Sequence, residues 1–224
     1  MVYEARAGQT FLLGASTYYV KRRLHLLIDA VASAPQGGLR RGRYLSPMAL
    51  TSTMYTFDIA LSDVDRSVYE QLNLKVACHP SETEEYLLTR LLAYCLEYTE
   101  GIAFSRGLGD PDEPAISVRD LTGALKAWIE VGSPDAARVH KASKASPRVA
   151  IYTHREPRLL LRAYEGQKIH RAERVELYAV DRELLAELAS HLDRRVAMTL
   201  SVSDRHLFID VGGTSVSGTV ERHA

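Results

Sequence analysis

Alternating apolar and polar residues mark the start of the regular part of the chain. The segments Thr53–Ser62 and Val68–Ala77 alternate in this way and are rich in β-branched and aromatic residues. A period of two with this composition favours half-buried strands. Between them, Asp63–Arg66 supplies turn-forming residues. The pattern therefore predicts an antiparallel hairpin ahead of the first helix.

A helical period comes after this hairpin. Apolar residues recur every three or four positions, at Leu87, Leu88, Leu91, Leu92 and Cys95. This spacing predicts a helix that buries one face. Ser81 is placed to cap the helix and Glu84, three residues later, to complete a capping box. The acids of this first turn also suit the positive end of the helix dipole.

The remaining apolar segments have the lengths of short strands and helices. The predicted strands are Ile102–Ser105, Arg148–Thr153, Val175–Val180, Val196–Ser203 and His206–Asp210. The predicted helices are one that Ser133 caps, with Pro134 at its first position, then Glu156–Gln167 and Asp181–Leu192. Gly212 and Gly213 are expected to turn the tail. The fold class is therefore α+β or α/β.

The stretch from Asp110 to Lys144 contains the candidate chemistry. Two apolar runs are joined by the sequence DLTG, which is typical of a β-hairpin. With a two-residue loop, Asp120 pairs with Gly123, and Glu113 then lies opposite Glu130. Two carboxylates this close repel each other unless a cation or a shared proton offsets the charge. The pattern indicates a divalent-metal site, and the alternative interpretation is a solvated hairpin end.

Composition limits the possible partners and compartments. Among 224 residues, 28 are basic and 28 acidic, so a nucleic-acid site would be a local basic patch rather than a global charge. Two cysteines, Cys78 and Cys95, form no metal or redox spacing. They fit the reducing cytoplasm, and no apolar window is long enough to span a membrane.

The first 47 residues differ in composition from the rest of the chain. Gly, Arg and Pro interrupt residues 35–47, leaving little to bury. We interpret residues 1–47 as a flexible or poorly ordered extension, or as upstream sequence included by an early start. The folded domain is predicted to cover residues 48–224.

Several short sequence motifs resemble those of the bacterial YaeQ family. They are HPSETEE with LLTRLLAY, FSRGLGDPDEP, DLTG, WIEVGSPD and RVAIYTH. The predicted order of helix, three strands, helix and strand (αβββαβ) is similar to the core of PD-(D/E)XK phosphodiesterases. The resemblance implies a variant nuclease-like core with a mixed central sheet, to which an N-terminal hairpin and C-terminal strands are added.

The resemblance also implies where site residues lie. The helix acid would be Glu82 or Glu85, the second-strand acid Asp112 or Glu113, and the third-strand acid Glu130. This chain departs from the pattern at Ala115, where an acid usually follows proline. It departs again at Gly132, where the acid-x-Lys triplet usually ends in lysine. Lys141 on the next helix, or Lys126 on the strand, would supply the missing amine.

The function implied is a phosphodiester hydrolase that acts on DNA or RNA with Mg²⁺, or with Mn²⁺. Its catalytic residues would be Glu113, Glu130 and Lys141. The metal would be held by Glu85, Asp112, Glu113 and Glu130, since Mg²⁺ prefers oxygen ligands. Arg106 and Arg138 would hold the phosphate backbone. The alternative is a non-catalytic module that binds nucleic acid or protein on a degenerate nuclease scaffold.

Overall fold

Residues 52–105 and 113–224 are described by the computed structural model of the chain. The predicted extension 1–47 and two predicted site residues, Arg106 and Asp112, lie outside these ranges. Within them, none of the helices has the length and apolarity needed to cross a bilayer.

The described residues form ten strands and four α-helices. The strands are β1 (Thr53–Asp63), β2 (Val68–Cys78), β3 (Ile102–Phe104), β4 (Ile116–Arg119), β5 (Leu125–Val131), β6 (Arg148–Thr153), β7 (Val175–Val180), β8 (Arg195–Ser203), β9 (His206–Val211) and β10 (Thr214–Arg222). The helices are α1 (Glu84–Leu96), which comes after β2, α2 (Ala136–Ala145), after β5, α3 (Pro157–Tyr164), after β6, and α4 (Arg182–Ser190), after β7. The fold is mixed α+β, and the predicted order α1-β3-β4-β5-α2-β6 is confirmed.

The C-terminal end of the chain corrects one prediction. Gly212 and Gly213 have positive φ of 59° and 83° and form a turn into a further strand, β10. The sequence signal for β10 is weak because only Val216 and Val220 of this strand are buried apolar residues. The tail is therefore part of the sheet, pairing with β9 and β7.

Two predicted helix caps are also corrected. Thr83, not Ser81, caps α1, and its hydroxyl accepts a hydrogen bond from the Tyr86 N–H at 3.2 Å. The Ser81 hydroxyl instead lies 2.6 Å from Nδ1 of His79. Asp135, not Ser133, caps α2 by accepting from the Arg138 N–H at 2.7 Å. Each helix therefore begins two residues later than its first capping signal.

One sheet contains the ten strands of the described residues, in the order β2-β1-β8-β9-β10-β7-β6-β5-β4-β3. Phe57 of β1 and Ile129 of β5 belong to one hydrophobic core with Leu91 of α1, although their strands are far apart in the sheet order. The sheet must therefore curve around α1. A second cluster on the opposite face packs α2 and α3 against Trp128 and Ile151.

Parallel strands create the edge that positions the site. Strands β5, β6 and β7 run parallel, and each is followed directly by a helix. Their carboxyl ends therefore meet at one edge of the sheet, together with the N-terminal ends of α2, α3 and α4. Ligands of such sheets bind outside the carboxyl ends of the strands.

An ion-pair network joins the elements at the opposite end of β6. Arg148, the first residue of β6, donates to both carboxylate oxygens of Glu97 at 2.6 and 2.9 Å and also pairs with Glu176. Tyr152 donates its hydroxyl proton to Glu97 at 2.8 Å. The hydrogen bonds with Glu97 raise the pKa of Arg148 further above its usual range. This network fixes the C-terminal end of α1 to β6 and β7.

Candidate functional site

A cleft of about 780 Å³ opens at the carboxyl ends of β5 and β6. One wall is the segment that leads into α1, the second is the segment that leads into β4, and the third is the start of α2. The described residues that line it are His79, Ser81, Glu82, Thr83, Tyr86, Ser105, Glu113, Pro114, Ala115, Glu130, Val131, Gly132, Ser133, Pro134, Arg138, His154 and Arg155. Acids from three separate segments therefore share one cavity.

The structure brings some predicted site residues together and separates others. Glu113, Glu130 and Arg138 line the cleft, and so does Glu82, the alternative helix acid. Glu85 is exposed and lines a neighbouring groove instead.

The two candidate lysines lie outside the lining of the cleft. Lys141 is exposed on α2, one turn beyond Arg138. Lys126 forms an ion pair with Asp120 at 2.9 Å, near the tip of the hairpin. In the described chain, the cation that reaches Glu130 is therefore Arg138, for which the sequence had suggested a role in phosphate binding.

The predicted hairpin register is wrong by two residues. Ile116 pairs with Ile129, and a bulge between Val118 and Arg119 then shifts the pairing by one. At the tip, the Asp120 N–H bonds to the Ala124 carbonyl at 3.0 Å, and Gly123 has φ +82°. The loop thus has three residues, as in turns that end in a left-handed glycine. Extending the pairing of Ile116 with Ile129 by one residue places Ala115, not Glu113, opposite Glu130.

Glu130 is nevertheless bound to the segment of Glu113 through one arginine. The Glu130 carboxylate is buried and accepts hydrogen bonds from Trp128 Nε1 and, at 2.8 Å, from Arg138 Nε. The same guanidinium donates through Nη2 to the backbone carbonyl of Glu113 at 2.8 Å. Burial raises the pKa of Glu130, against the hydrogen bonds from Trp128 and Arg138. Two oxygen atoms, one at the end of β5 and one in the segment before β4, thus contact one cationic group.

Glu82 is held on another wall of the cleft by its own arginine. Its carboxylate lies 3.4 Å from Arg90 Nη1 and accepts from the His79 N–H at 3.0 Å. Arg90 also donates to the Ala77 carbonyl, which ties this acid to the end of β2. Burial raises the pKa of Glu82, and the Arg90 charge opposes that rise.

Gly132 occupies the position where the resemblance predicts the lysine of an acid-x-Lys triplet. It has φ +87°, and a Cβ at this position would lie 3.2 Å from the ring of Tyr86. A side chain here would be strained by its backbone conformation and crowded by the aromatic ring. The close packing of α1 on the end of β5 therefore requires glycine, and any amine must come from elsewhere.

Gly132→Ala is expected to lower the free energy of unfolding by about 2–3 kcal/mol, because it adds a tight contact with the Tyr86 ring to the cost of positive φ. Gly123→Ala is the matched control, since Gly123 has φ +82° and no atom within 4 Å of an added Cβ. The control should lose about 1–2 kcal/mol from backbone strain alone. Urea unfolding of both variants measures the difference, and equal losses would contradict a role for the Tyr86 contact.

Sequence reasoning missed two residues that separate the cleft from the neighbouring groove. His154 and Arg155 come directly after β6 and line both cavities. The His154 ring packs edge-on against Tyr86, with centroids 6.1 Å apart, and burial lowers its pKa. Their signal was present in the sequence, since they come directly after a buried parallel strand, at the edge where open α/β sheets bind ligands.

The comparisons with known proteins agree on one family. The family model described as YaeQ protein matches residues 48–220. The chain belongs to the YaeQ family. It is 32% identical to the uncharacterised protein YaeQ of Escherichia coli (strain K12) over 158 residues, which are 70% of this chain and 87% of that protein. YaeQ of Salmonella typhi is 30% identical over 164 residues, covering 72% of this chain and 90% of that protein.

Two crystal structures of YaeQ proteins have a similar fold. The Pseudomonas syringae protein is 34% identical, with a TM-score of 0.69 over 77% of this chain and 96% of its own. The protein from Xanthomonas axonopodis pv. citri is 29% identical, with a TM-score of 0.70 over 77% of this chain and 98% of its own. The mixed α+β architecture is thus shared within the YaeQ family.

Proposed function

We propose that this YaeQ protein is a Mg²⁺-dependent phosphodiester hydrolase of the PD-(D/E)XK type that acts on nucleic acid in the cleft. One observation carries the proposal: a carboxylate oxygen of Glu130 and the carbonyl oxygen of Glu113 meet around a single cationic group. They do so at the carboxyl ends of parallel strands, where such sheets bind ligands. The element order α1-β3-β4-β5-α2-β6 supports the same assignment.

The donor atoms suit Mg²⁺. This ion prefers oxygen ligands, keeps several waters, and is commonly held by one or two carboxylates together with substrate phosphates. The described residues contain no group of three His, Cys, Asp or Glu side chains that would hold a metal by itself. Glu130 and Glu113 are the ligands we propose, and Asp112 and Glu85 stay predictions. Bound Mg²⁺, or Mn²⁺, lowers the pKa of a water and offsets charge on the reacting phosphate.

Cationic side chains of the cleft would bind the phosphodiester backbone. Arg138 carries a planar guanidinium that can bind two phosphate oxygens at once. Arg155 lies on another wall of the same cleft. These two residues form the local basic patch, to which the sequence adds Arg106. The catalytic role of Lys141 stays a prediction.

A second candidate function is a non-catalytic module that binds nucleic acid on the same scaffold. The observation that favours it is the pairing of Arg138 with Glu130, which neutralises the acid that the resemblance assigns to the metal. Under this alternative the cleft binds phosphate through its arginines and leaves the phosphodiester intact. Fold alone does not decide between the two functions.

Purified protein should therefore cleave labelled single- or double-stranded DNA or RNA in Mg²⁺ or Mn²⁺, and EDTA should abolish the cleavage. Lys168→Ala is the control variant, because Lys168 is exposed and lies outside the cleft lining. It should cleave at the wild-type rate. Binding without cleavage under all these conditions would favour the non-catalytic module, and cleavage that survives EDTA would rule out the metal-dependent reaction.

A further inference from the structure

We propose that Arg138 is a displaceable internal cation. Its guanidinium holds Glu130 and the Glu113 carbonyl in the protein without nucleic acid, and it leaves them for a phosphate group when nucleic acid enters the cleft. A divalent cation then binds at Glu130 only in the presence of nucleic acid. This inference rests on the proposed function and adds an order of binding to it.

The contacts of Arg138 explain why its guanidinium and a divalent metal ion cannot bind the same oxygen of Glu130 together. Its Nε and Nη2 atoms each lie 2.8 Å from an oxygen, one on Glu130 and one on Glu113. A metal ion bound to the same Glu130 oxygen would lie within a few ångströms of the guanidinium. Like charges at such distances repel strongly in a partly buried site. Metal binding at this oxygen of Glu130 therefore requires Arg138 to move.

Exposure indicates which of the two side chains can move. The Glu130 side chain is 4% exposed and is fixed by Trp128, whereas the Arg138 side chain is 27% exposed at the wall of the cleft. A phosphate entering the cleft meets the guanidinium before it meets the carboxylate. Arg138 is also the third residue of α2, and helix N-termini favour phosphate groups. The arginine can thus exchange a carboxylate for a phosphate without leaving the start of the helix.

When Arg138 leaves, binding of a divalent cation to Glu130 becomes more favourable. It leaves Glu130 buried without the cation it was paired with, and breaking a buried ion pair from one side is strongly unfavourable. A divalent cation at Glu130 offsets this penalty and contacts the incoming phosphate as well. Because linkage is reciprocal, nucleic acid should raise the affinity for the metal by the same factor as the metal raises the affinity for nucleic acid.

The single tryptophan of the chain reports on this exchange. Trp128 is the one Trp among 224 residues, and its indole N–H donates to Glu130. Mn²⁺ binding, followed by Trp emission and by calorimetry, should be weak for the wild-type protein alone. It should become at least about 10-fold tighter when a single-stranded phosphorothioate oligonucleotide is present, a typical size for coupling between sites.

Arg138→Gln is the decisive variant, since it should bind Mn²⁺ at least about 10-fold more tightly than wild type without any oligonucleotide. Arg158→Gln is the matched control, because Arg158 is exposed on α3 and outside the lining of the cleft; it should behave as wild type. Arg138→Lys provides a second variant that keeps the charge. Its single ammonium cannot reproduce the planar fork, so its Mn²⁺ affinity should lie between wild type and Arg138→Gln.

The outcomes separate this inference from the proposed function. Mn²⁺ affinities that are equal with and without oligonucleotide, and equal in wild type and both Arg138 variants, would overturn the displacement while leaving metal-dependent cleavage intact. Absence of Mn²⁺ binding in every variant, with or without oligonucleotide, together with absence of cleavage, would overturn the hydrolase and the displacement together. Circular dichroism of each variant confirms that the comparison is made on folded protein.

Discussion

Glu97→Ala should lower the free energy of unfolding by about 3 kcal/mol, because it removes the shared acceptor of three hydrogen bonds, two of them from a charged group. The Glu97 side chain is 11% exposed and accepts both hydrogen bonds from Arg148 and one from the Tyr152 hydroxyl. Its loss leaves Arg148 with Glu176 and deprives the Tyr152 hydroxyl of its acceptor. Three elements, α1, β6 and β7, lose their common contact.

Urea unfolding measures this effect, and two further variants calibrate it. Tyr152→Phe removes one hydrogen bond and keeps the ion pair, so it should cost about 1 kcal/mol. Glu173→Ala removes an exposed acid 4.0 Å from Arg174, so it should cost less than about 0.5 kcal/mol. A loss for Glu97→Ala no greater than that for Glu173→Ala would show that the network does not stabilise the fold.

The network also shows what the sequence leaves open. Glu97 and Arg148 are 51 positions apart, and no local period connects them. A signal was present, because an acid at the C-terminal end of a helix opposes the helix dipole. Glu97 is the C-cap of α1 and therefore calls for a cation nearby. The sequence alone does not say which arginine supplies it.

Regular elements were predictable where a local period carries the information. The predicted bounds of β6 and β7 match the structure, because apolar β-forming runs bounded by polar residues define these strands. The β1-β2 hairpin matched within a residue at each strand end for the same reason. Its pairing, from Thr53↔Cys78 to Asp63↔Val68, agrees with the alternation.

The register of the β4-β5 hairpin was not predictable in the same way. The sequence DLTG is compatible with a two-residue loop and with a three-residue loop that ends in a left-handed glycine. The Asp120 carboxylate accepts from the Thr122 and Ala124 N–H groups and stabilises the longer loop. The longer loop shifts the pairing by one residue, and the bulge at Lys126 shifts it by one more. Each shift depends on local turn or strand geometry, and together the two shifts move Glu113 away from the position opposite Glu130.

Three of the candidate residues, Glu113, Glu130 and Arg138, line one cleft, whereas their contacts were not predicted. Element order suffices to bring Glu130 and Arg138 to one edge, because a helix that comes after a parallel strand begins beside that strand's end. The contact between Arg138 and Glu113 depends instead on the path of a segment outside the strand. The need for glycine at 132 depends on Tyr86, which comes from another element. Contacts between distant segments decide both features.

Under the proposed function, Glu130→Gln should reduce metal-dependent cleavage by at least about 100-fold, since it replaces the charged oxygen donor with a neutral amide of nearly the same shape. Stability should not fall with activity. Burial raises the pKa of Glu130, so its charged form is less favourable in the folded protein than in the unfolded chain. The neutral amide removes that penalty, and its oxygen can still accept from Trp128. The free energy of unfolding near neutral pH should therefore be equal to or above the wild-type value.

Cleavage assays and urea unfolding at neutral pH test both parts of this expectation on the same preparation. Glu187→Gln is the matched control, because Glu187 is exposed on α4 and outside the lining of the cleft. It should change neither activity nor stability. Undiminished cleavage by Glu130→Gln would contradict the hydrolase site. A loss of stability above about 2 kcal/mol would show instead that the charged pair with Arg138 stabilises the fold. Glu130 would then be a structural acid, because residues held for chemistry are expected to cost stability rather than to supply it.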